Sequence, residues 1–190
     1  FEPKPFEYLK LAGGTNHVES DLERGLLGIV IDPDFETNGF FYVYWSPKIP
    51  DRYRVSRYAH IENQGGITSQ GDADSERILW QDSEGYLGCC HYGGGMVIYN
   101  NYLFLSTGDK FHGTLTAQNM SSAAGKLHRI ELDGKIPFDN MGMDDGPGGV
   151  MVDSIFALGL RNPFKMTIDT VAARVLISDV GGNDQAKAWE

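Results

Sequence analysis

The chain has 190 residues, 16 of them Lys or Arg and 26 Asp or Glu, for a formal net charge of −10. With 41% apolar and 22% charged residues, its usage is that of a globular protein rather than a disordered or low-complexity one. The acidic balance is wrong for tracking phosphates, and the longest apolar run, Phe40 to Trp45, is far below the roughly 18–20 residues of a membrane helix. A nucleic-acid partner and a membrane span both drop out.

The sequence opens at Phe1, with no basic segment leading into an apolar one, and stops at Trp189-Glu190 with no closing element in view. The expectation is a piece of a longer chain. Twenty-four Gly and eight Pro, without a G-x-y period, indicate many turns. Helical periodicity is nowhere sustained. Short runs of β-branched and aromatic residues recur instead, each bounded by Gly, Asp, Asn or Pro, which reads as all-β.

The first clear pair of strands is Leu26 to Asp32 and Phe40 to Ser46. Pro33 to Gly39 between them supplies hairpin-turn residues, with Asn38-Gly39 suited to positive φ. Weaker strands follow at Arg54 to Ile61 and Ile78 to Gln81. Met96 to Tyr99, the turn Asn100-Asn101 and Tyr102 to Gly108 make a second strand–turn–strand unit, followed by a weaker strand from Lys126 to Leu132. Lys165 to Asp169, Thr170 to Ala173 and Arg174 to Ser178 make a third. Sliding Ile31 onto Ile98 and then Ile168 gives a repeat of roughly 65–70 residues.

One hairpin plus one or two further strands per repeat describes a four-stranded propeller blade with long loops, such as Glu62 to Glu76 and Phe138 to Asp153. Blades bury their faces on one another, so a ring must close, and three copies do not close one. The 190 residues therefore read as a single partial β-propeller domain of about three blades, with the C-terminal blades missing and no internal linker.

Cys89 and Cys90 are adjacent, too few for a zinc site and without a C-x-x-C spacing. They are either two small residues sent to opposite sides by the pleat or a vicinal disulfide, which calls for an oxidising compartment. The sequon Asn119-Met120-Ser121 is compatible with secretion.

The repeat also aligns polar residues. His91 falls on Arg161 in the third copy and on Arg24, beside Glu23, in the first. Each precedes the innermost strand of its unit, so these residues should converge on one central mouth, where polar groups in a concavity mark a binding site. Asp109 and Asp179 follow the second strand of the second and third hairpins. They suit turn formation, orientation of a neighbouring His, or a hard cation.

Other signals fail on their chemistry. Asp139 to Gly149 lacks the alternating acidic ligands and terminal Glu of an EF-hand, Gly93-Gly94-Gly95 opens a strand rather than a helix, and no nucleophile elbow is present.

Glu23-Arg24-Gly25-Leu26-Leu27-Gly28-Ile29, with Asp32-Pro33-Asp34-Phe35 and Asn38-Gly39, resembles the opening blade of the glucose/sorbosone dehydrogenase family. Cys89-Cys90-His91-Tyr92-Gly93-Gly94-Gly95 with Leu103 to Asp109 is similar to its central histidine segment, in the Cys-Cys-His-x-Gly-Gly branch. Gly125 to Ile130, Asp133 to Pro137 with Asp139-Asn140, Gly159 to Phe164 and Asp179-Val180-Gly181 resemble further landmarks in family order. The resemblance implies a soluble, extracellular or periplasmic quinoprotein on a six-bladed propeller. It implies oxidation of a sugar hydroxyl with pyrroloquinoline quinone (PQQ) and Ca2+, electrons passing to an external acceptor.

On that resemblance His91 is the general base, an imidazole suiting the role through its pKa of about 6.5. Asp109 orients it, and Arg161 places fixed positive charge beside the quinone oxygen. Asn162 contacts the cofactor, Glu23 and Cys90 stand at substrate positions, and Gly181 and Gly182 fall near the calcium loop. Cys90 replaces an acidic substrate contact and Glu23 an amide, so substrate preference does not carry over, and Gly182 replaces a Pro common in the calcium loop. The family's basic residues for the quinone carboxylates come from later blades, so this chain alone is expected to hold half a site and to be inactive. Two rival readings are a non-catalytic extracellular propeller similar to the hedgehog-interacting ectodomain and a calcium-dependent lactonase-type propeller.

Overall fold

The computed structural model describes residues 18–19, 22–48, 52–62, 69–85, 89–112 and 114–182; the two chain ends and residues 63–68 of the expected first long loop lie outside them. Among the described residues, ten strands form three antiparallel sheets. The first is β1 (Leu26–Ile31), β2 (Phe40–Trp45), β3 (Arg54–Glu62) and β4 (Ser69–Gln81), paired in that order. The second is β5 (Met96–Tyr99), β6 (Tyr102–Thr107), β7 (Lys126–Glu131) and β8 (Ile155–Leu158), and β9 (Pro163–Asp169) pairs with β10 (Arg174–Asp179) as a hairpin. Helix is confined to the single turns α1 (Phe35–Asn38) and α2 (Thr114–Ala117) and a 3-10 turn at Met141–Met143.

The second strands are buried on both faces, which is why they read as continuous apolar runs. Phe41, Val43 and Trp45 of β2 face one way and pack with Tyr58. Tyr42 and Tyr44 face the other and join Tyr53, Val55, Trp80, Tyr92, Met96, Leu103, Leu105 and Ile130 in the main core. One face of the first sheet thus lies against the second sheet, and apolar burial of this kind is worth about 1.5–3 kcal/mol per large side chain. β1 sits beside β5 and β5 beside β9, so the first strand of each sheet shares one side of the protein.

Two expectations need correction. The segment expected as a loop from Glu62 to Glu76 is strand from Ser69 onward, pairing Ala59 with Asp72 and Ile61 with Gln70. Its polar sequence hid it, because an outermost strand needs only backbone bonds on one side and is protected by charge on the other. The Pro33–Gly39 connection does join β1 and β2 as a hairpin, but of its Asn-Gly pair only Gly39 takes positive φ. It holds α1, with Gly39 at φ 64 as its cap, while the Asn38 side chain donates to Asp32 and accepts the Phe40 N–H. Asp32 collects that bond, the Asp34 N–H and the buried Tyr42 hydroxyl. Burial alone would raise the Asp32 carboxyl, but these bonds outweigh it and hold it below its usual range.

Other turns match their chemistry. Asn100 and Asn101 take positive φ between β5 and β6, and in the acidic 139–149 stretch Asp145 accepts the N–H groups of Val150 and Met151 just beyond it, while Asp139 pairs with Arg129.

Candidate active site

Three connections lead into the adjacent strands β1, β5 and β9, and they carry the residues aligned by the repeat. Glu23 precedes β1, His91 precedes β5, and Arg161 and Asn162 precede β9. The structure joins them directly. The His91 N–H donates to Glu23 Oε2 at 2.7 Å, the Asn162 amide reaches the same oxygen at 3.5 Å, and the Gly93 N–H donates to Asn162 Oδ1 at 3.0 Å. The Asp109 N–H donates to the Arg161 carbonyl at 2.7 Å.

At the centre, His91 Nδ1 lies 2.6 Å from Asp109 Oδ1. The same oxygen accepts the Phe111 N–H at 2.9 Å. An ionised carboxylate only accepts, so the shared hydrogen sits on Nδ1 and the neutral ring keeps its lone pair on Nε2. No described residue bonds Nε2. His91 is 7% exposed and adopts φ 65, and the Phe111 ring stands edge-on against it at 5.1 Å.

Close backbone approach makes this possible. A Cβ on Gly108 would lie 2.1 Å from the His91 carbonyl oxygen, so only glycine lets the end of β6 pass behind the histidine. Gly93, at φ 73, would place a Cβ 2.4 Å from the Ser106 carbonyl. Behind the site, Lys126 donates to the carbonyls of Thr116, Ala117 and Ala124 at 2.7, 3.0 and 2.6 Å, pinning α2, and burial pushes its ammonium down to about 8. The Thr116 hydroxyl in turn donates to the Asp109 carbonyl at 3.0 Å.

Asp179 cross-links two connections, its two oxygens accepting the Arg161 and Asn162 N–H groups at 2.9 and 2.7 Å. Arg161 Nη1 donates to the Val180 carbonyl at 3.0 Å, and among the described residues its guanidinium has no carboxylate partner. Asn162 is buried, its amide committed to Gly93 and Glu23 rather than turned outward. Glu23 is likewise engaged by the His91 backbone. Cys89 and Cys90 form a vicinal disulfide immediately before His91, so the pair does not diverge across a pleat. Gly181 and Gly182 follow β10 after Val180. No group of three or more His, Cys, Asp or Glu side chains suited to a metal occurs among the described residues.

Sequence reasoning missed Lys110 and Phe111. Neither belongs to a periodic pattern, and their only signal is adjacency to Asp109.

The family model for Glucose / Sorbosone dehydrogenase matches residues 8–187. The chain belongs to the glucose/sorbosone dehydrogenase family. It is 27% identical over 187 residues to quinoprotein glucose dehydrogenase B of Acinetobacter calcoaceticus, covering 87% of this chain and 37% of that protein. With the aldose sugar dehydrogenase YliI of Escherichia coli K12 it shares 25% identity, over 90% of this chain and 45% of the relative. This family chain thus spans less than half the length of the curated relatives it matches. Its fold is shared with the soluble aldose sugar dehydrogenase of Escherichia coli in its apo form, at a TM-score of 0.74 and 23% identity, covering 90% of this chain and 47% of the other. The PQQ-bound aldose sugar dehydrogenase of Streptomyces coelicolor superimposes with a TM-score of 0.69 at 23% identity, covering 90% and 46%. No helix among the described residues is long and apolar enough to cross a membrane.

Proposed function

We propose that the protein carrying this chain is a quinoprotein oxidoreductase that oxidises a sugar hydroxyl, with His91 as general base. The single observation that carries the reading is the His91–Asp109 pair, joined at 2.6 Å through Nδ1 with Nε2 bonded by none of the described residues. A bound PQQ supplies the hydride acceptor. His91 Nε2 takes the hydroxyl proton, and Asp109 fixes the tautomer and stabilises the imidazolium that results. The Asp109 N–H bond to the Arg161 carbonyl keeps the two strand entries together.

The residues present suit an anionic quinone in part. Arg161 offers a guanidinium with no carboxylate partner among the described residues, able to face a developing negative charge. Asn162 would act from behind, through its bonds to Gly93 and Glu23, more than by touching the cofactor. A Ca2+ here would rely on the backbone carbonyls of Gly181 and Gly182 and on the cofactor's own oxygens, since among the described residues no cluster of acidic side chains serves it. Glu23 and Cys90 flank His91 on the substrate side of this reading. The two four-stranded sheets and the hairpin are taken as two blades and the inner half of a third, completed by further blades into a ring. An extracellular or periplasmic setting agrees with the disulfide.

Reconstitution of the complete protein with PQQ and Ca2+, followed by dye reduction across a panel of aldoses, tests the proposal. Aldose-dependent reduction is expected, and failure with every aldose despite spectroscopically proven cofactor loading would refute it. A non-catalytic extracellular module is disfavoured by the intact pairing of His91 and Asp109, which a pure binding surface has no need to keep.

A further inference from the structure

Lys110 follows Asp109 and is only 2% exposed. A buried ammonium needs partners of opposite charge and full hydrogen bonding. Its Nζ lies 2.5 Å from Asp82 Oδ2, donates to the Gly85 carbonyl at 3.0 Å and stands 3.6 Å from Glu84 Oε2. Asp82, just beyond β4 of the first sheet, is held in turn: its other oxygen accepts the Glu84 N–H, its own N–H donates to Tyr53 O, and its carbonyl accepts from Arg52. Ser122 donates to Glu84. A charge cluster thus anchors the segment after β6 to a different sheet.

The backbone of that segment is unusual. Lys110 and Phe111 both adopt left-handed φ, 55 and 67, which non-glycine residues rarely do and which persists only where the surroundings enforce it. The consequence is local and specific. The turn folds the Phe111 N–H back onto Asp109 Oδ1, the oxygen that also takes the His91 Nδ1 hydrogen, and it sends the Lys110 N–H to the His91 carbonyl at 3.2 Å. The Phe111 ring then rests on the imidazole.

We propose that Lys110 is a positioning residue: its ammonium, anchored on Asp82, holds residues 109–111 in the left-handed turn that sets the Asp109 carboxylate on the His91 imidazole. As far as rate is concerned this rests on His91 being the base; the geometric part does not. Lys110 touches neither substrate nor cofactor in this account.

The test uses the complete protein with histidine-selective isotope labelling. The hydrogen on His91 Nδ1, held by a carboxylate at 2.6 Å, should give a far-downfield proton resonance, assigned by its loss in His91→Gln. Lys110→Met should abolish that resonance and lower kcat of the PQQ-loaded protein on the order of tenfold to a hundredfold, with KM little changed. Because Lys110→Met leaves Asp82 unpaired and the fold at risk, Lys110→Met with Asp82→Asn removes both charges, and the resonance should again be lost. Ile130→Ala, in the main core away from the site, should lower Tm yet keep the resonance. A folded double variant with an unchanged resonance overturns the proposal, whatever its activity. Loss of the resonance in a protein whose wild type reduces no dye upholds the positioning role and refutes the proposed reaction instead.

Discussion

Replacing Asp109 by asparagine separates charge from shape. Asp109 Oδ1 accepts both the His91 Nδ1 hydrogen and the Phe111 N–H, and an amide carbonyl can occupy that place and keep both bonds. What is lost is the negative charge facing the imidazole as it takes up a proton. A hydrogen bond to a charged group is worth about 1.5–3 kcal/mol and a neutral one about 0.5–1.5, so the imidazolium loses about 1–2 kcal/mol. The gross Coulomb attraction at 2.6 Å, with an effective dielectric of about 20, is about 6 kcal/mol and bounds the effect from above. At about 1.4 kcal/mol per factor of ten, kcat for Asp109→Asn should fall by about fivefold to thirtyfold. The assay is dye reduction by the cofactor-loaded complete protein, with thermal melting to show that the fold survives. A kcat within about twofold of wild type at full loading would mean that no imidazolium forms against this carboxylate, and the assignment of the base would fall.

Gly108→Ala should remove activity outright and lower Tm, because its Cβ would meet the His91 carbonyl at 2.1 Å; a crystal structure of an active variant with the histidine unmoved would contradict this. Arg161→Ala keeps the backbone bonds to Asp179 but removes the guanidinium, so PQQ titration of the apoprotein should show affinity weakened by about tenfold or more, and unchanged affinity would exclude Arg161 from the cofactor site. Burial pushes His128 down to about 4 from 6.5, against the opposing bond to the Ala123 carbonyl. The unfolded chain therefore binds a proton that the folded one refuses. This contribution is fully present above pH 6.5 and is lost as pH falls toward 4, a change of about 3 kcal/mol. Melting curves across that window should be steeper in pH for wild type than for His128→Asn, and equal slopes would refute the burial argument.

Much of the fold was legible because it is written in local chemistry. Continuous apolar runs mark β2 and β6, Asn100-Asn101 marks a turn, and the spacing of Ile31, Ile98 and Ile168 marks the repeat. The aligned positions of Arg24, beside Glu23, with His91 and Arg161 carried the expectation of convergence, and the structure joins Glu23 to His91 and Asn162. The first part of β4, before Ile78, escaped because an edge strand asks little of its side chains, and α1 because one helical turn has no period to read. The cysteines stayed ambiguous because adjacent residues can diverge or bond with the same sequence.

The order of residues alone thus indicated most of the strands, the repeat and the family landmarks, and marked His91 as a candidate base. Folding decided who meets whom: Glu23 with His91 across 68 positions, Asn162 with Glu23 across 139, and Lys110 buried against Asp82. Periodicity and turn preference act over a few neighbouring residues, whereas a partner for a buried charge or an orphan N–H is chosen by how whole sheets pack, and no local pattern records that choice.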